Sequence, residues 1–258
     1  MKTFSFSGVL LLFSYRTFGQ TLFFGGGANL AFTNVDALNF IIDQYNLERT
    51  DTSIVTLTQS MPHFHNISGI ALTFGVIKAS GFQIDMGWYG KNGTVSAQGI
   101  SLDTIPCQLD AKLRDNTFSF GFGYTKPHGM VKLGFEISAD LGMITTHVRE
   151  RPTSEISNSL WDAFSGWQVE TSDFNFAFTF AGNIFIHFGK NSPVGLLFKP
   201  YYQLSLTNVN FYLLNDAMSP YTAVNADPDA QIGKVNAYGV CIVLFGAVKS
   251  ENDPWDTY

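Results

Sequence analysis

The chain has 258 residues, 14% charged and 15% aromatic, with 25 Phe, 24 Gly and a mean hydropathy of only +0.09. Its 21 acidic against 15 basic residues argue against a nucleic-acid partner, which needs a basic face. No run of 18 apolar residues follows the N-terminus, which excludes helical spans and implies that the aromatic surplus is diluted by alternation.

Residues 1–19 read as a secretory signal peptide: Lys2 is the charged start, Phe4 to Phe13 the apolar stretch, and Thr17-Phe18-Gly19 puts small residues at the −3 and −1 positions. Cleavage after Gly19 removes Lys2 and Arg16, leaving 13 basic against 21 acidic residues, a net charge of −8. Residues 20–247 then form one β-domain, and 248–258 an acidic C-terminal tail.

The first strand spans 21–33. Asn34 is placed to N-cap a short helix whose Leu38, Ile41, Ile42 and Tyr45 recur at i, i+3, i+4 and i+7. Such a stripe has to be covered, by the mouth of the domain, by lipid or by a partner, and Trp161, Phe164 and Trp167 form a candidate counter-surface. Thr52 to Thr58 leaves room for an extra hairpin and a ten-strand count. His63 and His65 have a chelating spacing but no third ligand nearby, so neither a metal nor a cofactor is expected.

Seven more strands are expected at 64–78, 81–91, 108–124, 129–146, 170–188, 194–208 and 232–247. Their connections alternate. Tight turns at 78–81, 125–128 and 189–193 take turns with long polar segments at 92–107, 148–169 and 211–231. Short turns at one end and long loops at the other are the habit of an outer-membrane barrel, with the turns in the periplasm. An even strand count returns both termini to that side.

Period-two patterning assigns the faces. Phe174, Phe176, Phe178 and Phe180 share one face of their strand, as Phe118, Phe120, Phe122 and Tyr124 do of theirs. The opposite faces carry Gly, Ser, Thr, Asn and a few charges, too sparse for a water-facing exterior but suited to a narrow lumen. The expectation is an all-β, eight-stranded antiparallel transmembrane barrel, with Phe118, Phe120, Phe122, Phe174, Phe176, Phe178 and Phe180 on lipid. Trp88, Tyr89, Trp167 and Tyr124 are candidate interfacial aromatics, and Pro200 suggests a bulge. Asp85, Lys132, Glu136, Asp140 and Lys199 fall on the inner face and are expected to pair, because an unpaired buried charge is costly. Cys107 and Cys241 read as two free thiols. No Ser, His and carboxylate converge, so catalysis is not expected.

Four stretches carry a family likeness: Phe23-Phe24-Gly25-Gly26-Gly27-Ala28-Asn29-Leu30; Ala37 to Asn46; Asn116-Thr117-Phe118-Ser119-Phe120-Gly121-Phe122-Gly123-Tyr124; and Lys199-Pro200-Tyr201-Tyr202-Gln203. On these the chain resembles the small outer-membrane β-barrel (PorT-like) family of Bacteroidetes. The resemblance implies an outer-membrane location and a non-catalytic structural or accessory role in a cell-envelope complex for protein export or outer-membrane biogenesis. The implied partners are outer-membrane lipid and lipopolysaccharide, and other outer-membrane proteins or lipoproteins met through the loops. The alternative is a small channel or carrier for apolar or small solutes. A terminal aromatic on the last strand, frequent in barrels, is replaced here by the tail Ser250 to Tyr258.

Overall fold

Strands that alternate large apolar with small polar side chains can close into a tube only if the small ones face inward, and this chain closes that way. The computed structural model describes residues 20–51, 55–101, 104–126, 130–156, 165–189, 192–218 and 228–249. The segment proposed as signal peptide, 1–19, lies outside them, as do Trp161, Phe164 and, of the proposed tail 248–258, all but Val248 and Lys249, which belong to the last strand.

The elements in order are β1 (Gln20–Asn34), α1 (Asp36–Asp51), β2 (Val55–Gln59), β3 (Asn66–Lys78), β4 (Phe82–Ser101), β5 (Pro106–Thr125), β6 (Val131–Pro152), β7 (Gln168–His187), β8 (Val194–Ser205), β9 (Val209–Asn210), α2 (Tyr212–Met218), β10 (Ile232–Gly233) and β11 (Asn236–Lys249). Eight of them, β1, β3 to β8 and β11, form an antiparallel ring. Closure comes from β1 pairing with both β3 and β11, and from β4 pairing with β5. β2 stays out of the ring and, among the described residues, pairs with the upper end of β4, so Val55–Gln59 is a side strand and no further barrel strand.

Three tight connections gather at the end where Gln20 meets Lys78 and Thr21 meets Lys249. In the first of them Gly81, at φ +89°, donates its N–H to Lys78 O at 2.8 Å. A side chain there would be strained, which is why glycine closes this turn. The long connections lie at the opposite end.

Strand extends into two of the long segments. β4 runs on to Ser101 and β5 starts at Pro106, so 92–107 is mostly the upper half of a hairpin, and β6 likewise reaches Pro152. A polar outer face, Asn92, Thr94 and Ser96, over small inner residues hid the continuation of β4. A 20-residue strand at roughly 3.3 Å per residue and a tilt of roughly 40° rises about 50 Å, twice the apolar band of about 25 Å that a barrel presents to lipid. The hairpins therefore project past the band.

Cross-strand rows show where the band lies. Trp88–Phe118–Leu141–Phe176, Met86–Phe120–Ala139–Phe178 and Ile84–Phe122–Ile137–Phe180 are three successive outer rows. Phe118, Phe120, Phe122, Phe174, Phe178 and Phe180 are exposed and Phe176 half-exposed, while Asp85, Lys132, Glu136 and Lys199 are buried. A surface of exposed aromatics around a buried polar interior inverts the order of a water-soluble protein. The chain is a membrane-spanning β-barrel of the outer-membrane type. None of the helices among the described residues is long and apolar enough to cross a membrane.

The faces carry a testable expectation. Phe120→Arg puts a charge on the lipid face near the midplane, at a cost of roughly 2–4 kcal/mol. It is expected to cut insertion into liposomes, read as loss of the heat-modifiable gel band, whereas Gln98→Arg above the band should insert normally. Equal insertion of the two would remove the lipid band from these rows.

Two local expectations are corrected. Pro200 marks no bulge: it lies opposite Val240 in an unshifted ladder, and toward β7 the pairing merely skips Gly182 and Asn183 and resumes in the same register. Tyr89 is not an interfacial residue. Its neighbour Trp88 faces out, so period two turns Tyr89 into the lumen, where its hydroxyl accepts a hydrogen bond from Lys199 at 3.3 Å.

Candidate functional site

The lumen is built in three layers. At the turn end, Phe23, Phe185 and Phe245 pack edge to face, with centroids 5.4 and 5.5 Å apart. Ile77, Leu197, Val243 and Cys241 complete this apolar floor.

Above it sits the charged layer, supplied by the small-residue faces of β4 to β8. Lys199 Nζ lies 2.8 Å from Glu136 Oε1 and 3.4 Å from Asp85 Oδ2. Asn183 donates to the second oxygen of Glu136 at 3.1 Å, and Gln83 donates to Asp85 at 3.2 Å. Gly121 makes the room: a Cβ there would stand 2.5 Å from both Asp85 Oδ1 and Glu136 Oε1. Asp140 is held by neutral donors, Ser138, Thr179 and Gln203, at 3.1, 2.5 and 3.0 Å. Through Gln203 Oε1 it joins a second ion pair, Lys91 Nζ to Asp115 Oδ2 at 2.7 Å. A small cavity of about 20 Å³ lies between the two pairs, lined by Lys91, Lys199, Asp140, Tyr201 and Gln203 among others.

Of the five charges singled out in the sequence, the fold thus brings Asp85, Glu136 and Lys199 into direct contact. It sets Asp140 one step higher and places Lys132 nearer the floor, opposite Phe185 on β7. The pair Lys91–Asp115 was not among them: both residues lie within the expected strands 81–91 and 108–124, but only the register sets them opposite each other. Both residues carry the inner parity, Lys91 two after Tyr89 and Asp115 two before Thr117, and that parity was the available signal.

The third layer is an apolar cap. α1 lays Leu38, Ile41, Ile42 and Tyr45 into the mouth, all four at most 4% exposed. They pack with Phe64, Leu113, Ile144, Val148, Phe211 and, on α2, Leu214 and Met218. Burial pushes the Tyr45 hydroxyl up to about 12, against the opposing pull of Arg49. Val35 rather than Asn34 stands before the helix, and its carbonyl accepts the first helical bond, from Asn39 N at 2.9 Å. Asn39 Oδ1 also takes the N–H of Phe64, and Asn46 ties both N and O of Met61, which pins the returning chain to the helix. Trp167, expected as a counter-surface, instead lies under Arg149 on the outer wall.

The histidines are dispersed. His63 Nε2 is 2.7 Å from Asp43 Oδ1, and His147 meets Trp167 edge to face. Cys107 and Cys241 are free.

Neither a family model nor a curated protein matches the sequence. Solved structures that are similar include Ail, the attachment invasion locus protein of Yersinia pestis. Its complex with the heparin analogue sucrose octasulfate aligns at a TM-score of 0.44 and 10% identity over 89% of this chain and 99% of that one. A further Ail structure aligns at 0.39 and 8%, over 90% and 100%. The closed ring and its inverted polarity, and not these likenesses, make the chain a membrane barrel.

Proposed function

We propose that the protein is a non-catalytic, non-conducting outer-membrane barrel that serves as a structural or accessory subunit of a cell-envelope complex, in protein export or outer-membrane biogenesis. The lumen carries this reading: an aromatic floor, a hydrogen-bonded ion layer and a helical cap succeed one another along the axis. A channel needs a continuous wet path, and a carrier a site that opens to one side. Among the described residues the small-solute alternative has the cavity of about 20 Å³ between the ion pairs to draw on.

The turn end and both termini belong in the periplasm and the long hairpins outside the cell, following the length rule for such barrels. The PorT-like resemblance enters here as part of the proposal. Outer-membrane proteins or lipoproteins are the proposed partners. They would meet the projecting hairpins or the outer face of α1, since its inner stripe is occupied. Lipopolysaccharide is the proposed lipid neighbour.

Planar-bilayer recording should show no discrete conductance, and mild detergent extraction should co-purify envelope proteins. Steady unitary currents from the purified barrel, with no co-purifying protein, would replace this reading by the channel.

A further inference from the structure

The acidic total of the chain conceals a basic face. Directly above the aromatic rows, the outer wall of β4 to β7 continues as Asn92–Arg114–Thr145–Ser172, Thr94–Lys112–His147–Val169 and Ser96–Asp110–Arg149. Lys112, Arg114, Arg149 and Arg151 thus climb the same wall that Phe118 and Phe120 occupy lower down. Asp110 is engaged by two of them, with Arg149 Nη2 at 2.9 Å and Arg151 Nη2 at 3.2 Å. Lys112 and Arg114 form no ion pair among the described residues. Among the described residues four cations stand against Asp110 on this face, with Glu170, the residue bulged out of β7 beside Val169, at its edge.

Trp167 organises the ladder. The Arg149 guanidinium lies 4.3 Å from its ring centre and Lys112 Nζ 5.1 Å, and His147 meets the ring edge on. Tryptophan with basic side chains at the rim of an apolar band is the chemistry of a headgroup layer. We propose that this ladder is a binding site for the phosphate groups of the outer-leaflet glycolipid, with Lys112 and Arg114 as the principal contacts and Trp167 holding the upper cations in place. The inference rests on the membrane orientation proposed above.

The height of the ladder selects this occupant. Arg114 is only four residues beyond Phe118 on the same face, about 13 Å of strand, which is the step from hydrocarbon into headgroups. A soluble polyanion would approach the loop tips, whereas this wall faces sideways into the leaflet. Lysine and arginine near an anionic surface each add roughly fivefold to binding.

The test uses the full-length barrel in nanodiscs of phosphatidylcholine with and without lipid A. It compares wild type, Lys112→Gln with Arg114→Gln, and the charge-keeping swap Lys112→Arg with Arg114→Lys. Lipid A should raise the melting temperature of wild type and swap and be retained by them in native mass spectra, with retention about thirtyfold weaker in the double glutamine variant. Insertion of all three with equal retention would overturn the site while leaving the membrane reading intact. Failure of wild type to insert at all would remove the membrane reading itself. Heparin binding to the same residues without any preference for lipid A would assign the ladder to a soluble polyanion and overturn the proposal.

Discussion

Lys199→Met is expected to be among the most damaging single changes in the barrel. Lys199 Nζ sits between Glu136 and Asp85, both nearly inaccessible to solvent. Methionine fills the space but leaves two carboxylates facing each other inside a closed wall. Breaking a buried pair from one side costs roughly 3–5 kcal/mol, because the surviving charge keeps its desolvation penalty and loses its compensation. Urea unfolding from lipid vesicles, followed by tryptophan fluorescence, should show that loss as a lower midpoint. Adding Glu136→Gln and Asp85→Asn should restore much of it, since the neutral amides can still hydrogen-bond to Asn183 and Gln83. Strict additivity of the three changes would mean that the carboxylates are hydrated independently, and would reopen the lumen as a path for solute. Lys132→Met makes a useful contrast, as Lys132 lies nearer the aromatic floor, and its coupling to Glu136 should be the weaker of the two.

Ile41→Asp should act on the cap and spare the ring. Ile41 is fully buried among Phe64, Leu113 and Ile144, with no cation in that cluster to receive a carboxylate. Losing the side chain costs roughly 2–5 kcal/mol of packing, and the charge cannot stay where it is placed. The cheapest relief is for α1 to leave the mouth together with the Met61–Phe64 return pinned to it, because the barrel strands remain hydrogen-bonded to each other. Hydrogen exchange should therefore rise across 36–65 with little change in β5 to β8, and Ile41→Val should behave almost as wild type. Conductance should stay absent in the opened variant, since Phe23, Phe185 and Phe245 still close the turn end. Global unfolding of the ring would show instead that the cap is part of one cooperative unit with the barrel. Unchanged exchange together with lost co-purifying proteins would move the stripe from the mouth to a partner interface.

Strand number and facing were legible because they depend on a local pattern. The rows of Phe118 to Phe122 and Phe174 to Phe180 repeat every second residue, and a one-residue slip would put all of them in the lumen. Strand length was less legible. Beyond Lys91 on β4 the outer face is Asn92, Thr94 and Ser96 and the inner face only Gly93, Val95 and Ala97, and a strand without large apolar side chains reads like a loop. The Lys91–Asp115 pair and the lower rungs of the basic ladder, Lys112 and Arg114, lie within the expected strands, and only the register between strands shows what they stand beside.

By itself the sequence determined the architecture: alternation decides which face meets lipid, turn residues decide where the chain reverses, and inner glycines decide how tightly the wall can close. Only the tertiary structure decided what fills the tube. Lys199 reaches Asp85 across 114 positions and Lys91 reaches Gln203 across 112, and no local period encodes which charges share a height once eight tilted strands have closed. Nor could the stripe of α1 choose its cover from sequence, because lipid, partner and barrel mouth all accept the same apolar face. Closure of the ring places an apolar upper lumen directly beneath α1, and that proximity assigns the stripe.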